Sequence, residues 1–167
     1  NLPRERALEE RARSLPMIEA QGLVLRRYEG SAPVLQLKAN KALLWGGKRA
    51  SLYGKVWVWR VLEGEEQTLR SKEATLFFAA RHREDFWKKG SFRQAEFRGN
   101  AKLSLGGGET LETSVVKYDN ISESFFGDQR SLVSGEGYRL QTENGFHYRI
   151  KEQLLQVSGY VEGSSLL

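Results

Sequence analysis

Leu37-Lys38-Ala39-Asn40-Lys41-Ala42, followed by Gly54-Lys55-Val56-Trp57-Val58, is a phrase that this chain repeats with variations. An apolar residue comes first, then a small residue two positions on, then another small or β-branched residue. A strand carrying Gly follows. The second copy reads Leu69, Ser71, Ala74, then Gly99-Asn100-Ala101-Lys102-Leu103. The third reads Leu111, Thr113, Val116, then Gly135-Glu136-Gly137, and a half-copy closes the chain at Val157-Ser158-Gly159-Tyr160-Val161. Self-similarity of this kind predicts a stacked array whose units each contribute one apolar face to a common trough.

On either side of the phrase, nearly every segment alternates with a period of two, which is the signature of a half-buried strand. In one run Leu37 and Ala39 share a face, and in the next Val56 and Val58 do. Leu76 and Phe78, Phe97 and Leu103, and Val116 and Tyr118 continue the pattern. Leu140, Tyr148, Ile150, Val157 and Val161 extend it to the C-terminus. These are the residues expected to line the trough. Between the runs lie turn sequences such as Glu29-Gly30-Ser31, Glu63-Gly64-Glu65 and Gly106-Gly107-Gly108. Glu143-Asn144-Gly145 reads as a hairpin turn, since Asn-Gly between alternating runs favours one. The pattern predicts an all-β sandwich, roll or barrel.

Gly54, Gly99, Gly135, Gly137 and Gly159 read as strand glycines. Gly weakens a strand interior and is used there for a bulge or for close approach of another group. They either relieve crowding in a tight roll or leave room for an elongated ligand.

The 167 residues, 40% of them hydrophobic and 28% charged, suffice for one domain with a substantial core. Residues 1–15 are dense in Arg and Glu and read as a short charged helical linker ended by Pro16; residues 16–163 form the domain. Ala79–Lys89 breaks the strand pattern and reads as an inserted loop or short helix. The chain has no cysteine, which excludes disulfides and thiolate chemistry. The two histidines, His82 and His147, lack acidic partners at ligand spacing, so no metal site is expected. Neither Ser134-Gly135-Glu136-Gly137 nor Gly106-Gly107-Gly108 has the context of a nucleophile elbow or phosphate loop. Asp119, Glu123 and Asp128 fall near turns, and turn chemistry accounts for Asp119-Asn120. No catalytic residue, enzymatic activity or cofactor is expected. The net charge of +5 admits an anionic partner. Lys and Arg are interspersed with Glu throughout, so nucleic acid is not the expected one. Trp57 and Trp59 share the face opposite Val56 and Val58. They form an exposed interface or a satellite core under the N-terminal helix, and Ala7, Leu8 and Leu15 favour the cover.

Val116-Lys117-Tyr118-Asp119, Ser134-Gly135-Glu136-Gly137-Tyr138 and Val157-Ser158-Gly159-Tyr160-Val161 resemble the LptC-type lipopolysaccharide-export domain and the related LptA/OstA-type periplasmic domains. So do Ile18-Glu19-Ala20-Gln21-Gly22-Leu23 and Leu37 to Ala42. The resemblance spans about Met17 to Val161. It implies an open β-jellyroll or β-roll of two facing antiparallel sheets in the periplasm, tethered to the inner membrane by a helix upstream of this sequence. It implies lipopolysaccharide as the bound lipid, received from an ABC transporter and passed to a bridge protein. The N-terminal edge would meet the transporter's periplasmic β-jellyroll and the C-terminal edge that of the bridge protein. The alternatives are a soluble bridge protein of the LptA/OstA kind, or a β-barrel carrier of another small hydrophobic ligand.

Overall fold

The structure, a computed structural model, describes residues 3–4, 18–46, 48–79 and 91–165. Most of the expected helix over residues 1–15, and the insert after Ala79, lie outside the described residues. Among these, twelve strands follow one another: β1 (Ile18–Glu29), β2 (Ala32–Trp45), β3 (Arg49–Leu62), β4 (Glu65–Phe78), β5 (Phe92–Ser104), β6 (Thr110–Asp119), β7 (Ser124–Gly127), β8 (Ser131–Gly135), β9 (Tyr138–Thr142), β10 (Phe146–Arg149), β11 (Leu154–Val157) and β12 (Val161–Ser165). All neighbours are antiparallel, and β1 to β6 form an uninterrupted meander.

The repeated phrase explains how this meander folds on itself. Strict alternation would keep odd or even positions inside along a whole strand. Instead Leu37 and Ala39 are buried, and then Ala42 and Leu44 are, so the inward set changes parity across a three-residue step. Leu69 and Ser71 give way to Ala74 and Leu76 in the same manner, and Leu111 and Thr113 to Val116. On the intervening strands the step is four: Leu52 to Val56 in β3, and Phe97 to Ala101 in β5. Three against four leaves one extra residue on β3 and on β5, which is a β-bulge. The register breaks where this requires, between Tyr53 and Val56 and between Arg98 and Ala101. Gly54 (φ 78°) and Lys55 (φ 48°) take the left-handed conformation at the first bulge, and Gly99 (φ 86°) and Asn100 (φ 48°) at the second.

These bulges align across neighbouring strands as a seam. Beyond β6 the seam widens into outright breaks. β7 and β8 both pair with β6, as two halves of one interrupted strand. β9 and β10 repeat this against β8 and β7, and β12 and β11 against β9 and β10. Asn144-Gly145 therefore makes no hairpin. It interrupts a strand whose two halves run in the same direction, because a seam break needs the same positive φ (103° at Gly145) that a hairpin turn does. The seam divides the array into two half-sheets. The first carries β7, β10 and β11; the second carries β8, β9 and β12. They face each other, as Arg60 of the second half shows by stacking on Tyr118 and Phe125 of the first.

The core lies between the half-sheets. Ala42, Leu52, Ala74, Leu111 and Val116 are 0% exposed. The sheet does not close. Among the described residues β1 pairs only with β2, β11 only with β10 and β12 only with β9, so they form an open roll and not a barrel.

Candidate functional site

The site follows from what the roll leaves accessible. Leu37, Ala39, Val56, Leu76, Phe97, Leu103, Val116, Tyr148 and Ile150 are fully buried in the packed middle. Val58, Phe78, Tyr118, Leu140 and Val157 are only partly buried and pack against that middle. Leu23, Leu25, Leu62, Phe92, Tyr138 and Leu155 join them. By position these residues mark three places. Leu23 and Leu25 lie at the β1 end. Leu140, Leu155 and Val157 lie at the opposite end. Val58, Leu62, Phe78, Phe92 and Tyr118 lie along the mouth, where the two rows of hairpin turns oppose each other. Val161 departs from the expected lining. It shares a face with the buried Thr142 opposite it, yet is 39% exposed, because β12 is an edge strand with nothing beyond it.

The mouth is built from a ladder of aromatic rings on the first half-sheet. Phe78 and Phe92 are 5.7 Å apart between centroids, Phe92 and Tyr118 stack at 5.8 Å, and Tyr118 and Phe125 meet at 5.0 Å. Adjacent strands deliver these rings to one face at matching register: Tyr118 sits directly opposite Phe125, and Phe78 opposite Phe92. From the second half-sheet the Arg60 guanidinium covers the ladder, 5.5 Å from Tyr118 and 5.4 Å from Phe125. Its Nε donates to Gln67 Oε1 at 2.8 Å, while its Nη2 is buried without a partner. Arg60 was not among the residues expected from the sequence. Its signal was its inward parity with Val56 and Val58.

Two phenols of the roll have perturbed hydroxyls. Burial, and then the charges of Glu65 and Glu109, hold the Tyr148 hydroxyl above its ordinary value of 10.0, against the opposing pull of Arg60. Burial, the hydrogen bond to Glu109 and that carboxylate's charge do the same for Tyr138. Gln153, in the β10–β11 turn, donates to Glu65 Oε2 at 3.1 Å across the mouth.

Of the two readings of the strand glycines, the surroundings of Gly54 and Gly99 fit the bulge. At Gly54 a Cβ would lie 2.8 Å from the exposed Asn40 side chain, and at Gly99 2.8 Å from Lys72. Both therefore serve bulges whose adjacent space is taken by outward side chains. Gly159 stands in the β11–β12 break, where a Cβ would meet Asn144 at 2.7 Å, and Gly137 stands in the β8–β9 turn, so neither is a strand residue. Gly135 ends β8 against the Tyr138 ring. At Gly54, Gly99, Gly135 and Gly159 a Cβ would meet neighbouring atoms, so none of these four opens onto free space in the trough. Among the described residues, no group of His, Asp and Glu is arranged to hold a metal ion.

No protein-family model matches the sequence, and no curated protein matches it. The crystal structure of LptH from Pseudomonas aeruginosa does match the fold. LptH is the LptA-homologous periplasmic component of the lipopolysaccharide transport device. The two chains are 15% identical and superpose with a TM-score of 0.56, covering 78% of this chain and 93% of that one. At that identity the likeness is one of fold, and the fold it identifies is the open antiparallel roll described above.

Proposed function

We propose that this chain is a periplasmic lipopolysaccharide-binding and transfer module. The observation that carries the reading is an open roll with an apolar, aromatic-lined mouth and, among the described residues, an end strand at each side paired along one edge alone. A lipid with several acyl chains loses roughly 0.8 kcal/mol per CH₂ when exposed to water. A trough open along its length shields such chains without specific bonds, and so lets them go again. The fold likeness to a lipopolysaccharide-transport component and the LptC-type motifs support the same reading, including a tether to the inner membrane. In this reading β1 adds to the transporter's periplasmic domain, and β11 with β12 to the bridge protein, by strand addition. The module performs no covalent chemistry. The open sheet disfavours the barrel alternative, which needs closure.

The test is photocrosslinking in cells from residues replaced singly by a photoreactive amino acid. Tyr118 and Leu140, on the rim, should yield lipopolysaccharide adducts. Tyr53, on the outer face, should not. Equal yields from all three positions, or none from the rim, would refute the reading.

A further inference from the structure

The two outer faces of the roll differ in how their charges are used. On the first half-sheet Lys41 pairs with Glu19 at 3.2 Å and Arg98 with Glu73 and Glu96 at 3.8 and 3.7 Å, while Arg49 lies over the Trp45 ring and, like Lys117, has no carboxylate partner among the described residues. On the second half-sheet a cross-strand row runs Val24, Lys38, Trp57, Arg70, Lys102, each residue directly opposite the next. Of its cations only Lys102 has a carboxylate partner among the described residues, Glu112 at 3.5 Å. Arg70 lies opposite Lys102, a like-charge pairing that destabilises a sheet. Lys38 Nζ sits 5.2 Å from the Trp57 ring centroid. Beside the row, at the seam, a cleft of about 600 Å³ is lined by Lys38, Lys55, Arg70, Trp57 and Asn40, with no acidic residue in its wall. Val24 is 49% and Tyr28 54% exposed on the adjoining edge strand.

We infer that the outer face of β1 to β4 in the second half-sheet docks on an anionic lipid bilayer, with a headgroup phosphate seated in the Lys38–Lys55–Arg70 cleft. Unpaired cations attract the negative surface, and half-exposed tryptophan with exposed tyrosine suits the headgroup region. A sheet face presents this set in one plane, as a bilayer requires. Single-stranded nucleic acid fits less well, because Lys38 already occupies one face of the Trp57 ring on which a base would stack. The contact uses outer-face side chains, those of edge strand β1 included, and neither the trough nor the backbone groups along the edge, so it does not rest on the function proposed above.

The experiment is co-sedimentation of the full chain with vesicles of phosphatidylglycerol and phosphatidylethanolamine, and with vesicles of phosphatidylcholine alone. The wild type should bind the first and not the second. Each surface cation is worth about fivefold in affinity, so Lys38→Gln/Arg70→Gln should weaken binding on the order of 25-fold. Lys41→Gln/Arg98→Gln removes the same charge from the opposite outer face and should leave binding within about twofold. Equal losses from the two double variants would mean diffuse attraction and overturn the inference. So would failure of the full chain to bind, the outcome if residues 1–15 cover this face, or binding to a single-stranded oligonucleotide but not to vesicles.

Discussion

Replacing Gly99 by Ala tests whether the seam is what shapes the roll. Gly99 has φ 86°, where a residue with a Cβ pays about 1–2 kcal/mol. The added carbon would also stand 2.8 Å from Lys72 Cβ, with Cγ and Cδ at 3.1 Å. A Cβ is not the free end of a side chain. Strands β4 and β5 would have to part, at an overpacking cost of about 1–3 kcal/mol. The expected loss is therefore about 3 kcal/mol in total. Gly64 is the control. Its φ of 80° is similar, but nothing lies within 4 Å of the position a Cβ would take. Gly64→Ala should lose only the conformational part, about 1 kcal/mol.

Urea unfolding reads the difference. With a slope of about 2 kcal/mol per M for a chain of this size, Gly99→Ala should drop the midpoint by about 1.5 M and Gly64→Ala by about 0.5 M, with slopes unchanged. Lys72→Gly removes the opposing Cβ, so the Gly99→Ala/Lys72→Gly double variant should recover about 1–2 kcal/mol relative to additivity. If Gly99→Ala came within about 0.5 kcal/mol of Gly64→Ala, or the cycle showed no coupling, the seam would be compliant and this account of the parity switch wrong.

Three further outcomes follow from particular contacts. Ser158 uses its N–H on Gly145 O at 3.0 Å and its carbonyl on Asn144 N at 3.2 Å; by alternation, Val157 turns its own backbone groups to the open edge. Val157→Pro should then abolish pull-down of a strand-adding partner at the C-terminal edge while leaving the circular dichroism spectrum unchanged. Tyr148 holds its proton more tightly folded than unfolded, so its stabilising effect is complete below its ordinary value of 10.0 and is lost as pH rises past it; Tyr148→Phe should show a shallower fall in urea midpoint between about pH 9 and 11 than the wild type. Arg60→Met strands the buried Gln67 carbonyl oxygen and should cost about 1–3 kcal/mol, whereas Arg60→Met/Gln67→Leu should recover most of that; a double variant less stable than the single one would contradict this.

Much of the fold is legible in the period-two runs, because each strand has one buried face and turn residues bound it. The three-residue step in Leu37-Ala39-Ala42 was legible too, but its meaning needed the partner strand. Only the four-residue step from Leu52 to Val56 shows that a bulge stands between them. Asn144-Gly145 misleads for a physical reason: hairpin turns and seam breaks select the same backbone conformation. Gly54 and Gly99 stayed open between a bulge and room for a ligand, because a strand glycine by itself does not say what approaches it. The edge position of Val161 depends on which strand comes last in the array, and parity within a strand carries no such information.

The packing also decides where a lipid could enter. The middle of the roll is filled by its own side chains, down to 0% exposure at Leu52 and Leu111, so an acyl chain must displace them or lie along the rim. The seam side is closed by continuous backbone and, through β6, by a hydrogen-bonded sheet. Among the described residues, side chains reach across the mouth: Arg60 over two rings, and Gln153 on Glu65. Contacts of the second kind, partly exposed to water, contribute little each. An acyl chain that replaces aliphatic contacts by aliphatic contacts loses little free energy on entering. If the roll takes up lipid as proposed, the half-sheets are expected to part at the mouth, beside Arg60, and not at the hydrogen-bonded seam.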